Sequence, residues 1–120
     1  MIDRNGRILD GTGLLEASRI IDTGVERPPI GYMVGCAYPA FLQAKNQPRE
    51  FMKRLIGYQA NASSLDHCDL DGADTLLMDD IADWGNEMLN LNRDHGIRIL
   101  GGCCGTDQRR LEDICRAVRN

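Results

Sequence analysis

The stretch Gly101-Gly102-Cys103-Cys104-Gly105-Thr106 constrains this chain more than any other. It follows the apolar run Ile97-Arg98-Ile99-Leu100 and precedes a helical pattern. It therefore reads as a strand-to-helix turn, a place where α/β proteins bind ligands. Neighbouring cysteines make a poor disulfide, because closing so small a ring strains the S–S dihedral. Two thiolates aimed at one soft cation is the better chemistry, and zinc is the usual occupant. Gly102 and Gly105 let the backbone bend so that consecutive side chains converge. Ordinary strand alternation would send them to opposite faces.

Three βα units precede and follow from this reading. The first strand spans 30–34, is apolar nearly throughout and runs out at Gly35-Cys36, as expected of a strand covered on both faces. A helical region follows, broken near Asn46-Gln47, with Pro48 at a first helical position and Phe51, Met52 and Leu55 as its buried stripe. The second strand spans 55–59 and leads into an irregular segment, 60–80, that carries Asn61, Ser63, Ser64, His67 and Cys68. Loops of that length are uncommon in compact domains and often functional. A helix over 81–93 puts Ile81, Trp84, Met88 and Leu91 on one face. The third strand spans 97–100. The last helix takes Thr106 as N-cap and Asp107 in its first turn, and buries Leu111, Ile114, Cys115 and Val118. Ahead of all this, Asp10-Gly11-Thr12 precedes an amphipathic helix over 13–22 that buries Leu14, Ala17 and Ile21. The order α-βα-βα-βα predicts a parallel sheet.

Charge and hydropathy exclude several functions. The net charge is -4, with Arg and Lys scattered, so nothing draws the chain to nucleic acid or an anionic membrane. The longest weakly polar run, 30–42, is interrupted by Pro39 and falls short of the roughly 20 residues that span a bilayer. The N-terminus has no apolar signal core, which predicts a cytoplasmic protein. The 120 residues suit one domain, 1–120, with a modest core. Five cysteines at 36, 68, 103, 104 and 115 do not form a secreted disulfide framework. The absence of Cys-x-x-Cys speaks against a dithiol redox protein.

Cys36 follows the first strand as Cys103 and Cys104 follow the third, and in a parallel sheet those strand ends share one rim. Three thiolates there would leave zinc one open position. Spacing alone leaves Cys36 open between a ligand and a small buried hydrophobe. Cys115, on an apolar stripe, reads as a buried hydrophobe, and His67-Cys68 as a pair without a metal role. His95 reads as a turn or helix-terminal residue. Asn61, just past a strand end at the same rim, reads either as a substrate contact or as a turn former.

The segments Ile99-Leu100-Gly101-Gly102-Cys103-Cys104-Gly105-Thr106 and Gly31-Tyr32-Met33-Val34-Gly35-Cys36-Ala37-Tyr38-Pro39 resemble the two cysteine motifs of the homocysteine S-methyltransferase family. Asp10-Gly11-Thr12 and Ala60-Asn61-Ala62-Ser63 are similar to further segments of it. The resemblance implies a (β/α)8 TIM-type barrel with zinc at its C-terminal mouth, held by Cys36, Cys103 and Cys104. Homocysteine sulfur would take the fourth position and receive a methyl group, giving methionine. Family donors include S-methylmethionine, S-adenosylmethionine, betaine and methylfolates. Members often carry Asn before the first cysteine and His two residues after it; here Gly35 and Tyr38 stand there, which leaves the metal site intact and puts local substrate contacts in question.

A barrel of this kind takes roughly 250 residues. The expectation is therefore an α/β chain holding the C-terminal three βα units of an incomplete barrel, part of a longer enzyme or a truncated product. Its bare edges would be covered by self-association or by a missing N-terminal half. A three-layer αβα mini-sheet with one bare edge is the alternative architecture. A catalytically inactive zinc-binding or assembly module is the alternative function.

Overall fold

The computed structural model describes residues 1–63 and 81–119. Helix α1 (Leu14–Gly24) leads to strand β1 (Tyr32–Ala37). Two 3-10 turns, Pro39–Leu42 and Ala44–Asn46, and the single helical turn α2 (Arg49–Met52) lead to β2 (Leu55–Ala60). Helix α3 (Ile81–His95), strand β3 (Ile99–Gly102) and helix α4 (Gln108–Arg119) complete the described residues. The three strands form one parallel sheet in the order β1-β2-β3, the arrangement expected from the alternating pattern.

The sheet has two unlike faces. Val34 and Tyr58 lie in the core at 4% and 0% exposure, with Trp84, Met88 and Leu91 of α3 and Ile114 of α4 in the same cluster. The opposite face is more exposed among the described residues. Met33, Gly57 and Ile99 stand in register across it, and Met33 and Ile99 remain 47% and 49% exposed. The Met33 side chain lies flat over Gly57, where an added Cβ would sit 2.6 Å from its terminal carbon. One step along the strands, Gly35, Gln59 and Gly101 make the next row, and the Gln59 stem lies over Gly101. Among the described residues the buried cluster thus packs on one face of the sheet, and the row through Met33, Gly57 and Ile99 lies on the other.

Several boundaries move for local reasons. β1 starts at Tyr32 rather than Ile30 because the Arg54 guanidinium takes the Pro29 and Ile30 carbonyls at 2.7 and 2.9 Å, leaving Ile30 92% exposed. Arg54 also bonds Asp22 at 2.8 Å, and Asp22 accepts the Tyr32 hydroxyl at 2.7 Å. This clasp ties the end of α1 to the starts of β1 and β2. β3 begins two residues late because Ile97, fully buried, donates its N–H to the Leu91 carbonyl at the end of α3. Gly96 at φ +70° supplies the left-handed residue after His95, the last residue of α3.

Pro48 caps α2 rather than opening it, and α2 closes after one turn. Leu55, assigned to its stripe, belongs to β2. In α1, Ser18 is buried and Ile21 is 44% exposed, so its apolar stripe is narrower than the pattern implies. Ser18 is accommodated there by donating its hydroxyl to the Leu15 carbonyl at 2.8 Å. α4 departs most. Its N-cap is Asp107, whose carboxylate accepts the Arg110 N–H. Thr106 is committed elsewhere, bonding the Cys103 carbonyl through its hydroxyl at 2.6 Å. Leu111, Cys115 and Val118 are exposed, so Cys115 is not the buried hydrophobe its stripe suggested. Arg110 and Ile114 are the residues α4 buries.

Candidate metal centre

The carboxyl ends of β1 and β3 bring three sulfurs together. The Sγ atoms of Cys36, Cys103 and Cys104 all lie within 4.8 Å of one another. Cys36 and Cys103 make a sulfur–sulfur hydrogen bond of 2.6 Å across 67 residues of sequence. Spacing left Cys36 open between two roles; the structure places its sulfur beside those of the pair.

A β-bulge delivers Cys36. Gly35 pairs with Gln59 and Ala37 with Ala60, so Cys36 is an extra residue opposite no partner. Its φ of +55° lies in the left-handed region, which costs a residue with a Cβ about 1–2 kcal/mol. Val34 and Ala37 point into the core on either side of the irregularity, and strict alternation would have carried Cys36 inward with Val34. The bulge turns it toward Cys103 instead, a use common beside active sites.

Cys103 and Cys104 sit on a tight turn. The Cys103 carbonyl accepts the Thr106 N–H at 3.1 Å, and Gly105 at φ +80° fills the position a type II turn reserves for glycine. Gly102 serves a different purpose from the one expected. Its φ is not positive; rather, a Cβ there would come within 2.7 Å of the Thr106 Cβ. Thr106 must pack against that bare backbone to hold the Cys103 carbonyl. The segment after β2 ties both rims together. Cys103 N–H donates to the Ala60 carbonyl, Asn61 N–H to the Ala37 carbonyl, and Ala62 N–H to the Cys104 carbonyl, at 2.8, 3.0 and 2.9 Å.

Asn61 is thus at the centre of the rim, between β1 and the cysteine turn. It is 3% exposed, and its backbone carbonyl accepts the Trp84 indole N–H at 2.8 Å. Its side-chain Oδ1 is buried and meets no hydrogen-bond donor among the described residues. Such an atom calls for a partner. Trp84 and Thr106, read in the sequence as a core residue and a helix cap, are supporting members of the site. The signal for Trp84 was available: a fully buried indole N–H needs an acceptor. Tyr38, which replaces the histidine frequent in the resembling family, is a core residue. It stacks edge-on to Phe41, and its carbonyl accepts the Tyr58 hydroxyl at 2.8 Å. His67 and Cys68 lie outside the described residues.

The three thiols are electrostatically unequal. The hydrogen bond to Cys103, followed by burial, pushes the Cys36 thiol up to about 11. Burial would raise Cys103 too, but hydrogen bonds from Cys36 and from the Cys104 backbone outweigh it and hold it below the ordinary value. The charge on Cys103 then raises Cys104. Cys103 is therefore the sulfur of the three that gives up its proton most easily, and Cys36 and Cys104 hold theirs more tightly. The donor set suits a soft divalent ion. Zinc–sulfur bonds of about 2.3 Å would set tetrahedral sulfur–sulfur separations near 3.8 Å, below the 4.8 Å that bounds the three sulfurs and above the 2.6 Å between Cys36 and Cys103, which would move apart to share an ion. No fourth His, Cys, Asp or Glu joins the cluster among the described residues.

Fold and site together define an α/β protein with three cysteines at the carboxyl rim of a parallel sheet that could hold a metal ion. The model of the homocysteine S-methyltransferase family matches residues 1–118, nearly the whole chain, and the chain belongs to that family. Comparison with curated proteins and with solved structures found no match. Among the described residues no helix is long and apolar enough to cross a membrane.

Proposed function

We propose that this chain carries the zinc-binding part of a homocysteine S-methyltransferase. Cys36, Cys103 and Cys104 are its zinc ligands, and Asn61 is a substrate contact. The observation that carries this reading is the convergence of three thiols within 4.8 Å in a chain of this family. Zinc bound there would keep the sulfur of homocysteine ionised at neutral pH, where a free thiol of pKa near 8.5 is mostly protonated. The chain's own residues do the rest. The bulge at Cys36 and the turn at Gly105 fix three sulfurs on one side and leave the other open to the substrate sulfur. The buried Oδ1 of Asn61 offers an acceptor to the substrate's ammonium group. The substrate sulfur would then take the methyl group of a small donor, the bond from that methyl to the donor breaking as the demethylated donor departs with its electron pair, and methionine would be released.

The more exposed sheet face favours a second reading for the chain by itself. Met33 and Ile99, about half exposed, are the side chains that the remainder of a (β/α)8 barrel would cover. On this reading the isolated chain binds zinc without turnover until a second copy or an N-terminal half covers that face. A reducing, cytoplasmic setting suits three free thiols.

The test is metal analysis of protein purified without chelator, beside Cys103→Ser, together with methyl transfer to homocysteine. Zinc near one equivalent that is lost in the variant supports the ligand assignment. Full zinc in Cys103→Ser contradicts it. Zinc without turnover favours the second reading.

A further inference from the structure

We propose that the same three-cysteine corner captures trivalent arsenic, taken up as the neutral hydroxide As(OH)3. The inference rests on the reading of Cys36, Cys103 and Cys104 as one ligand set, and it adds a second class of ligand. Soft thiols select soft, polarisable centres, and the number of donors decides which centre is satisfied. Among the described residues the cluster holds three sulfurs and no fourth protein donor. Zinc in such a set needs a ligand from outside. Trivalent arsenic forms three bonds and keeps a lone pair, so three thiols complete it.

The chemistry balances without any oxidant or reductant. Three thiols and As(OH)3 give the tris-thiolate and three waters: three S–H and three As–OH bonds are exchanged for three As–S bonds and three water molecules. Arsenic remains trivalent throughout. The geometry supplies an order of events. Cys104 is exposed and makes the first bond. Its neighbour Cys103, on the same glycine-supported turn, closes the second. Cys36, whose sulfur already touches that of Cys103, closes the third from the other strand. The backbone that carries these sulfurs is anchored, with Cys103 N–H donating to the Ala60 carbonyl and the Cys104 carbonyl accepting from Ala62 N–H, and both alanines are fully buried. Arsenic and zinc then compete for one place, and arsenic leaves no sulfur free for the metal.

The experiment uses the full chain with Cys68→Ser and Cys115→Ser, so that only the three site thiols remain. Reduced protein is treated with sodium arsenite in the presence of glutathione and examined by intact-mass spectrometry and thiol titration. The expected product gains one arsenic, loses three hydrogens and shows no titratable thiol. Adding Cys36→Ser, or separately Cys104→Ser should the former fail to fold, is expected to abolish the glutathione-resistant adduct. An adduct equally resistant in both variants, or one that keeps a hydroxyl and a free thiol in the parent, overturns the proposal. Zinc uptake is measured on the same preparation. Zinc without arsenic overturns this inference and spares the metal assignment, whereas arsenic without zinc does the reverse.

Discussion

Zinc should stabilise this fold through Cys36 above all, and the size of the effect follows from the topology. The metal, if held by all three sulfurs, ties the end of β1 to the turn after β3 across 67 residues. The unfolded chain brings that set together only at a large cost in loop entropy, so the ion discriminates strongly for the native state. With free zinc at about 100 times its dissociation constant, the gain is about 2.7 kcal/mol. The unfolding entropy of about 2.1 cal/mol/K per residue, taken over 120 residues, is about 0.25 kcal/mol/K. The melting temperature should therefore rise by about 10 °C. Cys103 and Cys104 stay adjacent in the unfolded chain and retain some affinity, which trims the shift. In Cys36→Ser the two remaining thiolates are presented almost equally by folded and unfolded chains, so the shift should shrink to about 1–2 °C. The assay is thermal unfolding followed by circular dichroism, with zinc and with chelator, for both proteins. Equal shifts in the two would show that Cys36 contributes nothing, and the three-sulfur argument would fail.

Zinc affinity should rise with pH. Cys36 and Cys104 are held protonated above their ordinary range, and the metal-bound form carries neither proton. Each displaced proton gives about tenfold per pH unit, so the affinity read from titrations with a competing chelator should rise by at least about 100-fold per unit near and below neutrality; a flat profile would contradict the assigned protonation. Gly102→Ala forces a Cβ against Thr106 and should cost about 1–3 kcal/mol in urea unfolding while reducing zinc uptake; an unchanged midpoint would mean that the turn yields freely. Trp84→Phe removes the indole donor to the Asn61 carbonyl and leaves a buried acceptor, at about 1–3 kcal/mol, and unchanged urea stability would refute that accounting. Light scattering after size exclusion should show self-association that Met33→Lys weakens, because Met33 lies on the more exposed face. A monomer at all concentrations would count against a second copy as the cover.

The periodicity of apolar residues, the glycine-flanked cysteine pair and the connection lengths were enough to determine a parallel three-strand sheet, the helices between its strands and the rim where the cysteines lie. Those features are local or repeat along the chain, and hydrophobic burial reads them directly. Membership of the homocysteine S-methyltransferase family was legible in the same two cysteine motifs. What local pattern could not decide were matters of contact between distant segments. Whether Cys36 joins the pair depends on a single extra residue opposite Gln59 and Ala60, and a bulge leaves no periodic trace. The exposure of Cys115 depends on which side of α4 meets α3, where Arg110 and Ile114 take the buried places. Thr106 serves the cysteine turn rather than α4 because Gly102 lets it approach, and the Trp84 indole bond to the Asn61 carbonyl, like the lack of a donor for the Asn61 side-chain oxygen among the described residues, depends on how α3 packs on the sheet. Sequence sets which groups seek burial or a partner; only packing in three dimensions settles which partner each one finds.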